Sequence, residues 1–344
     1  MCVTRFASTP LFIAPQIFAD AAQPSVAIIP GNTVNEEPRV TMKISAPIVS
    51  VLMATHDGLE YLPESVGSIL NQTFRDFEFI IIDDGSSDGS GEWLEERASC
   101  DSRIQLIRQD NAGLTVSLNR GLHLARGEFI ARMDADDIAL RDRFELQLRF
   151  MDSHPEIVCV GGQTLLIDPS GRPLRHFPHP LTHEEIDGAH CSGTSMARIT
   201  HPAAFIRREA VSRVNGYREE FRTAQDLDLF LRLAEIGRLA NLPATVLQYR
   251  QHEGSVGYSM RQRQVQTAWR AARDAADRRG LPFDVQPPDL SDTSSSSKMY
   301  AKWAWWALQA GNVSTARHHA LRAWLANPFS VNNWRLAFCA LRGR

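Results

Sequence analysis

A chain of 344 residues with 43% hydrophobic and 22% charged side chains has a globular composition, which excludes disorder throughout and allows one sizeable core with a smaller appendage. Its formal charge of −3 gives no basic field for gripping a polyanion by its phosphates, so small ligands, not nucleic acid, are the expected partners. Five cysteines, Cys2, Cys100, Cys159, Cys191 and Cys339, are scattered without a Cys-x-x-Cys pair; this argues against a disulfide framework or zinc cage and for a reducing, cytoplasmic setting.

Residues 1–46 hold Pro10, Pro15, Pro24, Pro30 and Pro38 without a sustained period, and read as a loosely ordered leader. Prolines and Asp20 break its apolar runs, so neither a spanning helix nor a signal segment is expected there. From Pro47 strands and helices alternate: strand 48–54, helix 62–71, strand 77–82, helix 91–99, strand 104–107, helix 114–125 and strand 129–133. That order predicts a parallel sheet of α/β class. Further on, 144–151 reads as a helix, 157–163 as a strand, 168–172 as a turn, and 207–214 and 226–236 as helices. Residues 261–280 look like a solvent-facing helix, and 291–297 a serine-rich linker. The division expected is a leader at 1–46, an α/β domain at 47–257, a helix and linker at 258–297 and a helical hairpin at 298–344.

Two acidic clusters follow buried strands. Asp83-Asp84-Gly85-Ser86 ends one strand, and Asp134-Ala135-Asp136-Asp137 ends another; ligands of open α/β sheets bind outside such strand ends. Asp84 and Ser86 could serve a nucleoside or simply cap their turn. Three carboxylates within four residues repel one another unless a cation neutralises them, and an all-oxygen set favours Mg²⁺ or Mn²⁺ bridging substrate phosphates.

The series Thr55-His56-Asp57, Ile82-Asp83-Asp84-Gly85-Ser86, Asn111-Ala112-Gly113, Asn119-Arg120-Gly121, Ala125-Arg126-Gly127-Glu128 and Asp134-Ala135-Asp136-Asp137 resembles the family 2 glycosyltransferases of the GT-A fold, from about Pro47 to Gly257. The resemblance implies a GT-A, mostly parallel nucleotide-binding sheet. It further implies an inverting, metal-dependent transfer of sugar from a UDP-, GDP- or dTDP-sugar to an acceptor hydroxyl, in bacterial surface polysaccharide or glycolipid synthesis. Thr55, Asp57, Asp84, Ser86, Asn119 and Asp134 would then contact the nucleotide sugar. Asp136 and Asp137, with His252, would hold Mn²⁺ or Mg²⁺, and Asp226 would be the catalytic base. Gln225 stands where the family usually carries Glu, so a decayed, binding-only relative is an alternative; a nucleotidyltransferase is another, although no Gly-rich basic loop follows the first strand. Asp226 could also be only a helix N-terminal acid, Asp228 and Arg232 form an i, i+4 pair, and His201 lies near the acceptor or shapes a wall.

The tail, 298–344, holds five of the seven Trp and seven Lys or Arg with no Asp or Glu. Ala307, Gly311, Ala316, Ala320, Ala323 and Pro328 match one tetratricopeptide-like hairpin, which must dock to be stable. Its tryptophans, Trp303, Trp305 and Trp306 among them, suit either that packing or peripheral contact with a membrane.

Overall fold

The computed structural model describes residues 46–193, 197–255, 260–287 and 296–343; the leader and most of the serine-rich linker lie outside them. Strands β1 (Val49–Thr55) and β2 (Phe77–Asp83) are buried at every residue, as expected of strands covered by helices on both faces. Their side chains alternate between two cores. Val51, Met53, Phe79 and Ile81 face one way, with α1 (Leu62–Leu70) and α4 (Arg143–Ser153). Leu52, Ala54, Ile80 and Ile82 face the other, with α3 (Leu114–Leu124) and α7 (Gln225–Ala234).

The chain then places β3 (Ile104–Arg108) outside β2 and returns to set β4 (Phe129–Asp134) on the far side of β1, all in parallel. The strand order β3-β2-β1-β4 creates a switch point between β1 and β4, where Ala54 is opposite Asp134; such crevices are where α/β sheets bind ligands. Gly127 lets β4 start close to β1, since a Cβ there would sit 2.5 Å from the Ser50 nitrogen.

Beyond β4 the sheet becomes mixed. β8 (Phe205–Arg207) runs antiparallel to both β4 and β6 (Ile157–Ile167), while β9 (Arg238–Arg250) runs parallel to β6 and pairs antiparallel with the short β5 (Ile138–Ala139). β7 (Pro173–Phe177) folds back along β6 after the Asp168–Arg172 turn. The strand expected at 157–163 therefore runs four residues further. β7, β9 and α5 (His183–Cys191) were not anticipated. α5 did carry a local signal, the capping box Thr182 to Glu185. α2 (Ser90–Cys100) and α6 (Arg208–Arg213) fall near their expected places.

The helix at 261–279, α8 (Arg261–Arg279), is not simply solvent-facing. Ala268, Ala271, Ala272, Ala275 and Ala276 form a buried stripe, in which Ala268, Ala271 and Ala275 pack with Phe221, Leu227 and Leu231. Alanine contributes little to average hydropathy yet permits close helix approach, which hid the stripe among the arginines.

The tail is three helices, α9 (Ser296–Gln309), α10 (Val313–Ala326) and α11 (Val331–Arg342). Ala307, Ala316, Ala320 and Ala323 are buried between them, and Trp303, 1% exposed, packs with Leu166 and Leu174 of the β6–β7 ribbon. The fully buried His319 brings its Nε2 within hydrogen-bond distance, 2.9 Å, of the Asp168 carboxylate, and the Asn312 amide donates to the Leu174 carbonyl.

At the opposite end of β2 from the acidic loops, buried Glu78 accepts from the Ser50 hydroxyl at 2.6 Å, the Arg126 amide at 2.8 Å and the Arg126 guanidinium at 2.6 Å. Burial alone would raise its carboxyl, but these donors hold it below the ordinary value. The interaction therefore contributes stability above the unfolded glutamate value, about 4.3, and that contribution is lost as pH falls through the lowered folded value. In urea titrations from neutral to acid pH, Glu78→Gln is expected to lower stability at neutral pH and to flatten the acid limb; an unchanged acid limb would show that Glu78 does not govern it.

Candidate functional site

The site at the sheet's switch point draws its candidate groups from five segments. The strand β1 leads into Thr55-His56-Asp57, and the turn is tight: Asp57 has φ 51 and Gly58 lies so close that a Cβ would meet the Thr55 hydroxyl at 2.6 Å. The Thr55 Oγ1 is buried with no hydrogen-bond partner, a group open to a ligand. Asp57 is turned towards its neighbours: its amide donates to the Ser86 Oγ at 3.0 Å and its carboxylate accepts the Ser87 amide at 2.7 Å. Thus Ser86 and Asp57 link the loops after β1 and β2.

Asp84 is only 4% exposed. It accepts from the amides of Ala112 and Gly113 at 2.9 and 2.8 Å and from the Gln109 side chain at 2.7 Å. Burial works to raise its carboxyl, but those donors keep it below the ordinary range. Its carboxylate is thus engaged in shaping the 109–113 loop. Asn119, expected at the nucleotide, has both ends of its amide taken by the Tyr217 peptide at 2.9 Å, so the structure uses it as a tie between α3 and the segment after α6.

The second acidic cluster lies just past β4. One oxygen from each of Asp134, Asp136 and Asp137 falls within 4.8 Å of the others. His252, just beyond β9, brings its Nε2 to 2.8 Å from Asp136, with its ring against Tyr61. Asp137 is fully buried; Oδ1 accepts the Arg250 amide at 2.8 Å while Oδ2 has no partner. Burial and the charges of Asp136 and Asp134 push the Asp137 carboxyl well above its usual value. Asp134 is pushed up to about 6 by burial, Asp136 and Asp226, against the pull of Arg132.

Two arginines that the sequence reading passed over hold this cluster. Arg132, 1% exposed in β4, pairs with Asp134. Arg250, 2% exposed at the end of β9, donates through Nε to the Asp136 carbonyl at 2.7 Å and through NH1 to the Pro169 carbonyl at 2.8 Å, with its guanidinium over the Tyr61 ring. The signal for Arg132 is a lone cation inside the apolar run Phe129 to Met133; Arg250 has no such contrast, because β9 mixes Asn241, Pro243 and Gln248 with its apolar residues.

Asp226 stands in the first turn of α7. Ala224, its N-cap, is held at φ 53 within a buried cluster of Phe221, Leu227 and Leu231, a conformation rare for a residue with a Cβ. Burial raises the Asp226 carboxyl, offset in part by the Leu227 and Asp226 amides and by Arg132, and its charge in turn raises Asp134. Asp226 is thus near enough to the acidic cluster for its charge to act on Asp134. Gln225 is buried beside it. Asp228, two residues on, is fully buried and ligated by Arg218 and by Arg232 at 2.7 Å, a structural role. His201 donates to or accepts from the Tyr217 hydroxyl at 2.7 Å and is 7% exposed, which places it in a wall.

The donor set fits a hard divalent ion: crowded carboxylates, one with a buried unpartnered oxygen, and an imidazole beside them. Carboxyls whose folded values are raised stabilise the protein only below the unfolded value, and that stability is withdrawn as pH rises towards about 6 for Asp134. A bound cation cancels the resulting penalty at neutral pH. Saturating Mn²⁺ is accordingly expected to raise the thermal midpoint by about 5 °C near neutral pH, less at acid pH, and not at all in Asp136→Ala. Equal shifts in wild type and variant, followed by differential scanning fluorimetry, would place the ion elsewhere.

Residues 50–214 match the family model described as glycosyl transferase family 2. An uncharacterized glycosyltransferase of Haemophilus influenzae is 30% identical over 241 residues, which cover 67% of this chain and 73% of that protein. The O-antigen biosynthesis glycosyltransferase WbnJ of Escherichia coli is 31% identical, over 60% of this chain and 81% of that protein. Among solved structures, the mannosyltransferase PcManGT from Pyrobaculum calidifontis, in complex with GDP-Man and Mn²⁺, superposes with a TM-score of 0.52 at 18% identity, covering 87% of this chain and 86% of that one. The architecture is that of the GT-A glycosyltransferases.

Proposed function

Because the chain belongs to the family 2 glycosyltransferases, we propose that it moves a sugar from a nucleoside diphosphate donor to an acceptor hydroxyl with inversion at the anomeric carbon, Asp226 serving as base. What supports this reading is the electrostatic influence of Asp226 on Asp134, together with the grouping of Asp134, Asp136 and Asp137 just past β4.

The geometry supports the following roles. Thr55, with its unpartnered hydroxyl, and the Asp57–Ser86 loop pair take the nucleoside end, while Asp84 fixes the loop that walls it. Asp134 and Asp136 face the donor diphosphate. Asp136, Asp137 and His252 would hold the cation, and the imidazole favours Mn²⁺ over Mg²⁺. When bound, that ion acts as a Lewis acid for the departing diphosphate. Arg132 and Arg250 keep the carboxylates fixed in its absence, so little reorganisation is needed when the donor arrives.

Asp226 takes the acceptor proton as the hydroxyl attacks. Its raised carboxyl makes it a stronger base than an exposed aspartate. Activity should therefore fall on the acid side as Asp226 becomes protonated. The dual role of position in α7, a buried neighbourhood and a helix N-terminus, sets that balance.

A place in bacterial surface-polysaccharide or glycolipid synthesis is supported by the O-antigen relative. The donor base is left among UDP-, GDP- and dTDP-sugars, and a panel of these with Mn²⁺ separates them. With the donor so found, Asp226→Asn is expected to lower kcat by about 10²- to 10⁴-fold with donor affinity by calorimetry nearly unchanged. Retention of wild-type turnover by this variant would remove Asp226 from the chemistry.

A further inference from the structure

We infer that the outer face of the last two helices is a docking surface for an anionic lipid bilayer. Of the large apolar side chains exposed among the described residues, seven fall between Leu321 and Leu341: Leu321 55%, Leu325 63%, Phe329 95%, Val331 80%, Trp334 56%, Phe338 58% and Leu341 69%. Soluble surfaces scatter such residues singly. Here they are ordered.

Val331, Trp334, Phe338 and Leu341 are spaced three and four residues apart on α11, which makes one stripe along the helix. The opposite side of α11 is already spent, with Asn333, Leu336 and Ala340 buried against the rest of the tail. Leu321 and Leu325 repeat the spacing on α10, and the Trp324 and Trp334 rings meet at 5.3 Å, which carries the apolar surface from one helix to the other. Phe329, in the connection, is the most exposed of the seven. The three exposed aromatic side chains alone leave on the order of 300–500 Å² open, as much as the largest patch on an ordinary monomer.

Charge selects the occupant. Residues 298–344 carry seven Lys or Arg and no Asp or Glu. Arg335 and Arg342 are exposed, seven residues apart, in a line beside the apolar stripe, and the Arg342 guanidinium lies over the Phe338 ring at 5.2 Å. Arg317 and Arg322 are exposed on α10. A second copy docked through this face would set the same cations against themselves, because a two-fold contact pairs a patch with its own image. An anionic lipid surface satisfies both halves of the pattern: apolar and aromatic side chains enter the boundary of the acyl chains while guanidinium groups meet phosphates. No helix among the described residues is long and apolar enough to cross a membrane, so the contact lies in the interface plane.

This places the lipid face on residues different from the tryptophans named from sequence: Trp303 is buried and Trp305 and Trp306 are partly buried on α9. The inference does not rest on the transfer reaction, since lipid binding is read without donor or acceptor.

Flotation of the full chain with vesicles of phosphatidylcholine, and of phosphatidylcholine with about one-third phosphatidylglycerol, tests it. Wild type is expected to partition at least about tenfold more strongly into the anionic vesicles, and to lose that preference as salt screens the cations. Phe329→Ser with Phe338→Ser should weaken binding about tenfold or more; Arg335→Glu with Arg342→Glu, on exposed side chains, should abolish the anionic preference, and matching thermal midpoints would verify that both variants are folded. Three results overturn the proposal: wild type left behind by both lipids, variants that float as wild type does, or a dimeric mass by light scattering that the phenylalanine pair of substitutions converts to monomer, which would assign the face to a second copy.

Discussion

Everything at the switch point depends on how a run of acidic side chains is kept in place beside a buried strand end. Left alone, Asp134, Asp136 and Asp137 would swing apart or take up protons. Arg132 inside the sheet and Arg250 at the end of β9 prevent the first outcome: one pairs with Asp134, and the other grips the Asp136 and Asp137 backbone and carboxylate from the far side. Arg143, fully buried, supports β4 in turn by donating to the Arg132 carbonyl at 2.9 Å. The compensation is incomplete, as the raised Asp134 and Asp137 carboxyls record. That residual imbalance is the electrostatic ground for proposing a cation there.

Two aspartates in α7 illustrate how neighbours, not residue type, decide a role. Asp228 has both oxygens ligated by arginines and is spent on holding α7 to the chain around Arg218. Asp226, two residues earlier, meets first-turn amides and adds its charge to the raising of Asp134.

The parallel half of the sheet was legible in the sequence because its strands are continuous apolar runs, such as Phe79 to Ile82, punctuated by Asp-Gly turns. The mixed half was not, since β9 contains Asn241, Pro243, Gln248 and Arg250 and shows neither a solid run nor clean alternation. Its existence depends on pairing with β6, a tertiary fact. At the site, the acidic positions stood out by their spacing, whereas the occupation of Asn119 by Tyr217 and the enclosure of Asp84 by the 109–113 loop arise from contacts distant along the chain. Local pattern could identify those residues without revealing what they touch.

The packing of the tail on the β6–β7 ribbon covers a strand at the margin of the sheet. β7 lies off the main strand order and pairs with β6 alone, which leaves it a sheet margin of the type that recruits foreign strands. Asn312 occupies one of its carbonyls, and Trp303 and Met299 cover Leu174. A chain shortened before Ser296 would thus be more than a smaller enzyme: it would present an open ladder beside an uncovered greasy patch, and strand-by-strand aggregation would be its natural fate.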